Sequence, residues 1–271
     1  MRLIGVRAHD YARDTPEELF AKIAADGWRS VQLAFPKALS GVAGWQDVTP
    51  PLVERVAGAL AKNALPVAVL GVYVELALAD ETARQDNVQI FKSQLRVAKA
   101  LWADCIGAET TSRAKQPGVA QEDAFRALEQ SLAQILPEAE ALGVTVAMEP
   151  VYYHTLSSPE LTRRLLCDMQ SPALRVIFDP VNLLRPEEVS GQPALWARAL
   201  EAFGDKIAAV HIKGVQWQGN TLVKAALADS VVDYAGLFDA LRPLTQNFSI
   251  LREEAIPQCA AQERGLLNSL V

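Results

Sequence analysis

Eight short runs of β-branched and other apolar residues alternate with eight longer amphipathic runs along the chain. The short runs, which we predict to be strands, cover residues 3–7, 30–35, 66–72, 104–109, 144–149, 174–179, 206–213 and 248–254. The longer runs, which we predict to be helices, cover residues 15–27, 50–63, 82–102, 121–143, 158–169, 193–204, 232–244 and the C-terminus. Strands that are joined by crossover helices must run parallel. Because eight such units fit within 271 residues, we predict an α/β protein, a closed (β/α)8 TIM barrel that forms a single domain over residues 1–271.

An open, doubly wound sheet is the main alternative for the same alternation. Such sheets usually bind a cofactor at a glycine-rich loop after the first strand. No GxGxxG sequence follows residues 3–7, and no GxxxxGK[ST] sequence occurs in the chain. The pattern therefore favours the barrel.

Charge and composition narrow the classes of function. Acidic residues outnumber basic ones by 32 to 26, giving a net charge of −6, whereas nucleic-acid binding needs clustered positive charge. The three cysteines are widely spaced and form no CxxC pair, so we expect reduced thiols. The first residues do not resemble a secretory signal peptide, and no apolar run is long enough to span a membrane. We expect a cytoplasmic protein without nucleic-acid or membrane partners.

A carboxylate ends the fifth predicted strand, VTVAME, residues 144–149. Side chains alternate between the two faces of a strand, so Val146 and Met148 lie on one face, with Ala147 and Glu149 on the other. The larger residues suit the face that meets the helices, and the small alanine suits the barrel interior. Glu149 then points inward at the C-terminal mouth, where barrel active sites are built.

The next three predicted strands end in a similar way, on Asp179, His211 and Glu253. In the last strand the alternation selects Glu253 over Glu254, although a β-bulge would exchange the two. Three carboxylates at one mouth would repel each other unless a cation lies among them. Oxygen ligands with one imidazole suit Mn²⁺, Mg²⁺, Co²⁺ or Zn²⁺.

Each of these residues also has an ordinary explanation when it is taken alone. A single Glu at a strand end is usually a solvated loop residue, and a single buried His is usually a hydrogen-bonded core residue. Four such residues in register on adjacent strands indicate one site, which we predict to hold one divalent metal ion.

The segments VAMEP, VIFDPVN, AAVHIKG and ILREE resemble the sugar isomerase/epimerase superfamily, the xylose isomerase-like barrels that also include the endonuclease IV proteins. The resemblance implies that Glu149, Asp179, His211 and Glu253 hold the metal, with Mn²⁺ preferred over Mg²⁺, Co²⁺ or Zn²⁺. It also implies that Glu149 and Glu253 exchange protons with the substrate, as in the ketose 3-epimerases. Members are commonly dimers or tetramers, so a homo-oligomer is implied as well.

The implied activity is a metal-dependent isomerase or epimerase that acts on a sugar or sugar phosphate. The metal would polarise a carbonyl, and one glutamate would remove the neighbouring proton to give an enediolate. Reprotonation by the other glutamate would give an epimer, and reprotonation of the next carbon by the same base would give an isomer. The expected substrate contacts are Lys213, His154, Asn182 and Glu109. A surface position is the alternative interpretation of Lys213, which lies in phase with His211.

Three positions depart from the family pattern. Asn182 stands where members often have a His, Gly214 where many have an Asp, and Trp217 where epimerases often have an Arg. The metal site is therefore better supported than any particular substrate. Aromatic residues that would cover a sugar ring include Tyr73 and Trp217, while Trp102 is expected to pack near the end of a helix.

Three other functions stay open. An inosose-type dehydratase would use the same metal and enediolate but expel water. An endonuclease IV-like nuclease would need more than the three histidines of this chain and a basic surface. A protein that binds a sugar without converting it would have no need of two opposed glutamates, Glu149 and Glu253.

Overall fold

Eight parallel strands close into a barrel in this computed structural model, which describes residues 3–219 and 221–271. The strands of the barrel are β1 (Ile4–Arg7), β2 (Val31–Leu33), β3 (Val67–Gly71), β4 (Cys105–Glu109), β5 (Val146–Glu149), β6 (Leu174–Phe178), β7 (Ile207–Ile212) and β10 (Ser249–Arg252). Strand β1 pairs in parallel with both β2 and β10, which closes the barrel. The predicted closed barrel and its eight strands are confirmed.

Helices connect successive strands and surround the barrel. They are α1 (Pro16–Ala25), α2 (Phe35–Ala38), α3 (Pro50–Lys62), α4 (Glu81–Ala100), α5 (Gln121–Leu142), α6 (Pro159–Met169), α7 (Pro180–Leu183), α8 (Gln192–Phe203), α9 (Tyr234–Leu241) and α10 (Ala260–Leu270). Side-chain caps begin several of them: Thr15, Asp80 and Ser158 each accept a hydrogen bond from a backbone N–H of the first turn. Within the described ranges, no helix has the length and apolar character that a membrane crossing requires.

The core has two layers. Small and medium side chains fill the barrel interior, namely Ala68, Val69, Cys105, Ala147, Ile177, Ala209 and Leu251. Val146 and Met148 belong to the second layer, between strands and helices, as the alternation predicts. Inside the barrel the packing is tight, because a Cβ added at Gly107 would lie 2.5 Å from Cδ1 of Ile177. The interior is therefore a filled core, and polar inward-facing residues are placed at its two ends.

Two features differ from the sequence prediction. An antiparallel hairpin of β8 (Val215–Gln218) and β9 (Thr221–Lys224) follows β7 and was not predicted. Trp102, expected to pack near the end of a helix, is 89% exposed. It follows the last turn of α4 with a φ of +53°, a left-handed conformation in which the chain turns away from the helix axis. The packing expectation for Trp102 is therefore wrong.

Candidate metal and catalytic site

Four polar residues meet at the C-terminal end of the barrel. They lie at the C-terminal ends of β5, β6, β7 and β10, which are neighbours in the barrel, and they are Glu149, Asp179, His211 and Glu253. Their exposed fractions are only 4%, 0%, 0% and 3%. One ligand atom each from Glu149, Asp179 and His211 lies within 4.8 Å of the other two. Two carboxylates and one imidazole at this spacing form a candidate metal-binding triad.

His211 lies between the two glutamates. Its Nδ1 atom is 3.4 Å from Oε2 of Glu149 and 3.3 Å from Oε1 of Glu253. Neither ring nitrogen makes a well-aligned hydrogen bond within the described part of the chain, although both are buried. Buried polar atoms normally have well-aligned partners, so an imidazole whose Nε2 has none and whose Nδ1 faces two carboxylates fits a metal ligand better than a structural histidine. Burial disfavours the imidazolium, but the charges of Glu253 and Glu149 outweigh it and raise the pKa of His211 to about 9.

Lys213 is part of the same site. Its Nζ atom lies 2.7 Å from Oδ2 of Asp179 and 3.1 Å from Oε2 of Glu253, and the side chain is 10% exposed. Burial alone would lower the pKa of this ammonium, but Asp179 and Glu253 raise it well above its usual value. The lysine is therefore charged and buried among the carboxylates, which rules out the surface position.

Asn182 links two of these groups. Its Nδ2 atom donates to Oε1 of Glu149 at 2.5 Å, and its Oδ1 atom accepts from Nζ of Lys213 at 3.1 Å. Asp179 is fixed by the start of α7, because its Oδ1 atom accepts from the backbone N–H groups of Val181 and Asn182. The other oxygen of Asp179 is left to face Lys213. In this arrangement Asn182 orients Glu149, and the oxygen and the nitrogen of its side-chain amide are both hydrogen-bonded.

Arg7 is a site residue that the sequence analysis missed. It ends β1 and donates from Nη1 to Oε2 of Glu253 at 3.3 Å, while Nη2 donates to Asp10 at 2.8 Å. Burial would raise the pKa of Glu253, but His211, Lys213 and Arg7 together lower it below its usual range. The strand LIGVR ends on an inward-facing polar residue, just as β5 does. This strand alternation is the sequence signal that could have placed Arg7 in the site.

The structure distinguishes Glu253 from its neighbour. Glu253 is buried and contacts His211 and Lys213, whereas Glu254 is only partly buried and has a φ of +55°. The strand alternation therefore chose the residue that faces the site. Its role as a metal ligand stays a prediction, because the compact triad consists of Glu149, Asp179 and His211.

Glu109 and His154 lie on the β4 side of Glu149. Glu109 is the register partner of Glu149, and its Oε2 atom is 3.8 Å from Nε2 of His154. Burial, followed by repulsion from Glu149, raises the pKa of Glu109 to about 7. Burial lowers the pKa of His154, so this imidazole is neutral near pH 7. Both residues border the glutamate without joining the triad, and their role as substrate contacts stays a prediction.

The hairpin contains or borders two of the departures from the family pattern and explains the one at Gly214. A Cβ at position 214 would lie 2.2 Å from the carbonyl oxygen of Ala225, whose N–H donates to the carbonyl of Gly214 at 2.8 Å. The backbone that returns from β9 thus occupies the space that an Asp side chain would need. Trp217 lies on β8 and is 41% exposed.

Comparison with known proteins identifies one family of TIM barrels to which the chain is similar. A family model described as xylose isomerase-like TIM barrel matches residues 20–269. No curated protein matches the chain. A solved structure of a D-tagatose 3-epimerase-like protein is 14% identical with a TM-score of 0.80, over 100% of this chain and 97% of that one.

Two other solved structures are similarly related in fold. The IOLI protein, solved with a zinc atom, is 13% identical with a TM-score of 0.75, over 100% of this chain and 98% of that one. The probable 3-DHS dehydratase AsbF from Bacillus anthracis, involved in petrobactin synthesis, is 13% identical with a TM-score of 0.74, over 99% of both chains. At these identities the likeness shows a shared fold.

Proposed function

Because this chain belongs to the xylose isomerase-like TIM barrel family, we propose that it is a divalent-metal-dependent isomerase or epimerase of a sugar or sugar phosphate. The observation that carries the proposal is the pair of buried glutamates. Glu149 on β5 and Glu253 after β10 come from strands separated by two others, yet both reach Nδ1 of His211. Two carboxylates that approach one point from different sides suit proton removal on one face of a substrate and proton return on the other.

The donor set fits a divalent metal. Glu149, Asp179 and His211 would hold the ion, with Glu253 as a fourth ligand, and the lack of a well-aligned hydrogen bond at either ring nitrogen of His211 supports this assignment. A bound divalent ion polarises a carbonyl group and makes the neighbouring C–H more acidic. Three carboxylates with one imidazole suit Mn²⁺, our preferred ion, as well as Mg²⁺, Co²⁺ or Zn²⁺. The zinc atom of the IOLI protein supports the inclusion of Zn²⁺.

The side chains around the glutamates would assist the proton transfer. One glutamate takes the proton from the carbon beside the carbonyl, and the resulting enediolate carries negative charge on oxygen. Lys213 is held by Asp179 and Glu253, so its ammonium is already positioned to stabilise that charge. Asn182 keeps Glu149 in one orientation through its 2.5 Å hydrogen bond. His154 and Glu109 would contact the substrate from the β4 side.

A dehydratase is the second candidate. Expulsion of water from the same enediolate would need only a leaving hydroxyl and a proton donor. The replaced positions Asn182, Gly214 and Trp217 favour a substrate that differs from that of the epimerases. The fold shared with the probable dehydratase AsbF is consistent with this chemistry.

Product analysis with matched variants tests the proposal. The metal-loaded protein is incubated with a panel of ketoses and ketose phosphates, and products are identified by nuclear magnetic resonance. Glu149→Gln and Glu253→Gln should each lower the rate by about 10²–10⁴, the usual contribution of general acid–base catalysis. The control Glu254→Gln, which is only partly buried, should keep the wild-type rate. An enone product would select the dehydratase, and full activity in both site variants would contradict the mechanism.

A further inference from the structure

A cavity opens at the N-terminal end of the barrel, opposite the carboxylates. It has a volume of about 1190 Å³ and is lined by the first residues of several strands and by residues of α10. Pockets that hold small molecules typically measure about 300–1,000 Å³. This basal cavity, lined among others by Ile4, Thr145, Ser249 and Arg264, is therefore large enough for a metabolite.

Three arginines line the basal cavity, namely Arg29, Arg175 and Arg264. Within residues 3–219 and 221–271, none of their guanidinium groups forms an ion pair or a hydrogen bond. Most other described arginines pair with an acidic side chain, as Arg55 does with Glu17 and Arg164 with Glu122. A chain with a net charge of −6 has carboxylates to spare, so a cluster of unpaired guanidinium groups is unexpected for a purely structural surface.

Asp104 is the only acidic side chain among the described residues that line the cavity, which Val271, the last residue of the sequence, also lines. Its Oδ2 atom accepts from Oγ of Ser249 at 3.2 Å and not from an arginine. The three guanidinium groups outnumber the acidic groups that line the cavity, which leaves it with an excess of positive charge. An anion would offset that charge.

Arg264 packs against Gly27 at the cavity. Gly27 has a φ of +82°, and a Cβ there would lie 2.7 Å from Cζ of Arg264, so the side chain rests directly on the glycine. The Nε atom of Arg264 is buried and has no hydrogen-bond partner among the described residues. Buried donors normally have an acceptor. A bound anion would supply the one that the protein lacks here.

We propose that the basal cavity binds a small molecule bearing a phosphate group, at a site separate from the carboxylates. Guanidinium groups offer paired N–H donors that match the geometry of phosphate oxygens, and several such groups around one anion reinforce each other. Thr145, Asn247 and Asn268 also line the cavity and would provide hydrogen-bonding groups for the rest of the molecule. This proposal does not depend on the reaction proposed for the opposite end of the barrel.

Calorimetric titration with inorganic pyrophosphate tests the site. The full-length protein is kept in chelator and about 0.15 M salt, so that no metal at the carboxylate site binds the probe. We expect one pyrophosphate per chain with a Kd below about 1 mM. Arg29→Gln and Arg264→Gln should each weaken binding about tenfold or more, since each removes charge-assisted hydrogen bonds. The control Arg163→Gln removes an exposed arginine of α6, outside the cavity, and should leave the Kd unchanged.

Thermal unfolding separates binding from structure. Removing one cation from a like-charged cluster should leave the Tm of the ligand-free variants equal to or above that of the wild type. Pyrophosphate should raise the Tm of the wild type and of Arg163→Gln but not that of the cavity variants. Should Arg264→Gln fail to fold, Arg29→Gln provides the same comparison at an exposed side chain.

Several results would overturn the proposal. These are no binding at 10 mM pyrophosphate (roughly ten times the expected limit), equal weakening in Arg163→Gln, or loss of binding in Glu149→Gln. Loss of binding in Glu149→Gln would mean that pyrophosphate binds at the carboxylate site and not in the basal cavity. Tighter binding of citrate than of pyrophosphate would replace phosphate by a polycarboxylate and would contradict the ligand class.

Discussion

Replacing Lys213 by Met should destabilise the protein strongly in chelator. The ammonium lies 2.7 Å from Asp179 and 3.1 Å from Glu253, and it also donates to Asn182 at 3.1 Å. Met has nearly the same stem, so the substitution removes the charge with little change in packing. Removing one partner of a buried ion pair costs about 3–5 kcal/mol, because the remaining charge stays buried without compensation. At about 2–4 °C per kcal/mol for a chain of this size class, the Tm should fall by about 6 °C or more.

Added divalent metal should recover more stability in Lys213→Met than in the wild type. A cation bound by Glu149, Asp179 and His211 would compensate the same carboxylates that the lysine compensates. The gain is measured as the rise in Tm between chelated and metal-saturated protein. Lys224→Met, on the exposed hairpin strand β9, serves as the control and should show neither effect.

The result that would refute this reasoning is a chelated Lys213→Met protein within about 0.5 kcal/mol of the wild type, which is the scale of an ordinary surface substitution. The ammonium would then contribute little to balancing the carboxylates. An equal metal-induced rise in Tm for both proteins would separately show that metal and lysine act on different groups.

Three further predictions concern stability. Glu263→Gln should lower the free energy of unfolding, measured by urea titration, by about 3 kcal/mol, because it breaks a fully buried bidentate pair with Arg252. The control is Asp239→Asn, which breaks an exposed pair with Arg242 and should change the free energy of unfolding by less than about 1 kcal/mol. Gly214→Ala should lower the Tm, because its Cβ would lie 2.2 Å from the backbone oxygen of Ala225. The control Gly265→Ala, where a Cβ meets open space, should leave the Tm unchanged, and equal Tm values for the two variants would count against the hairpin contact. The pKa of Glu109 is raised to about 7, so between about pH 4.5 and 7 this residue binds a proton in the folded state that the unfolded state has already released. As the pH rises through that range, chelated wild-type protein should therefore lose stability relative to Glu109→Gln. Parallel curves of stability against pH for the two proteins would exclude that titration.

Much of the fold could be predicted because its signals are local. Each strand is a short apolar run, and several helices begin at a capping residue such as Thr15, Asp80 or Ser158. The inward phase of Glu149, Asp179 and Glu253 also followed from alternation within single strands. Parallel strands bring equivalent ends together, so a local phase predicts which residues share the mouth of the barrel.

Most of the features that were missed depend on contacts between distant parts of the chain. The inward phase of Arg7 was a local signal, but its hydrogen bond to Glu253 joins residues 246 positions apart and could not be predicted from that phase. The hairpin β8–β9 lies in a stretch with polar and exposed strand residues, which do not show the apolar signal of barrel strands. The basal cavity likewise forms where Gly27 meets Arg264 and where Asp104 meets Ser249.

Solvent deuterium incorporation tests the central claim most directly. The metal-loaded protein is incubated in D₂O with each ketose or ketose phosphate of the panel, and deuterium at the carbon beside the carbonyl is measured by mass spectrometry. We expect incorporation for at least one substrate, with loss of the signal on chelation and in Glu149→Gln. A folded, metal-loaded protein that incorporates no deuterium into any member of the panel would contradict proton transfer by Glu149 and Glu253.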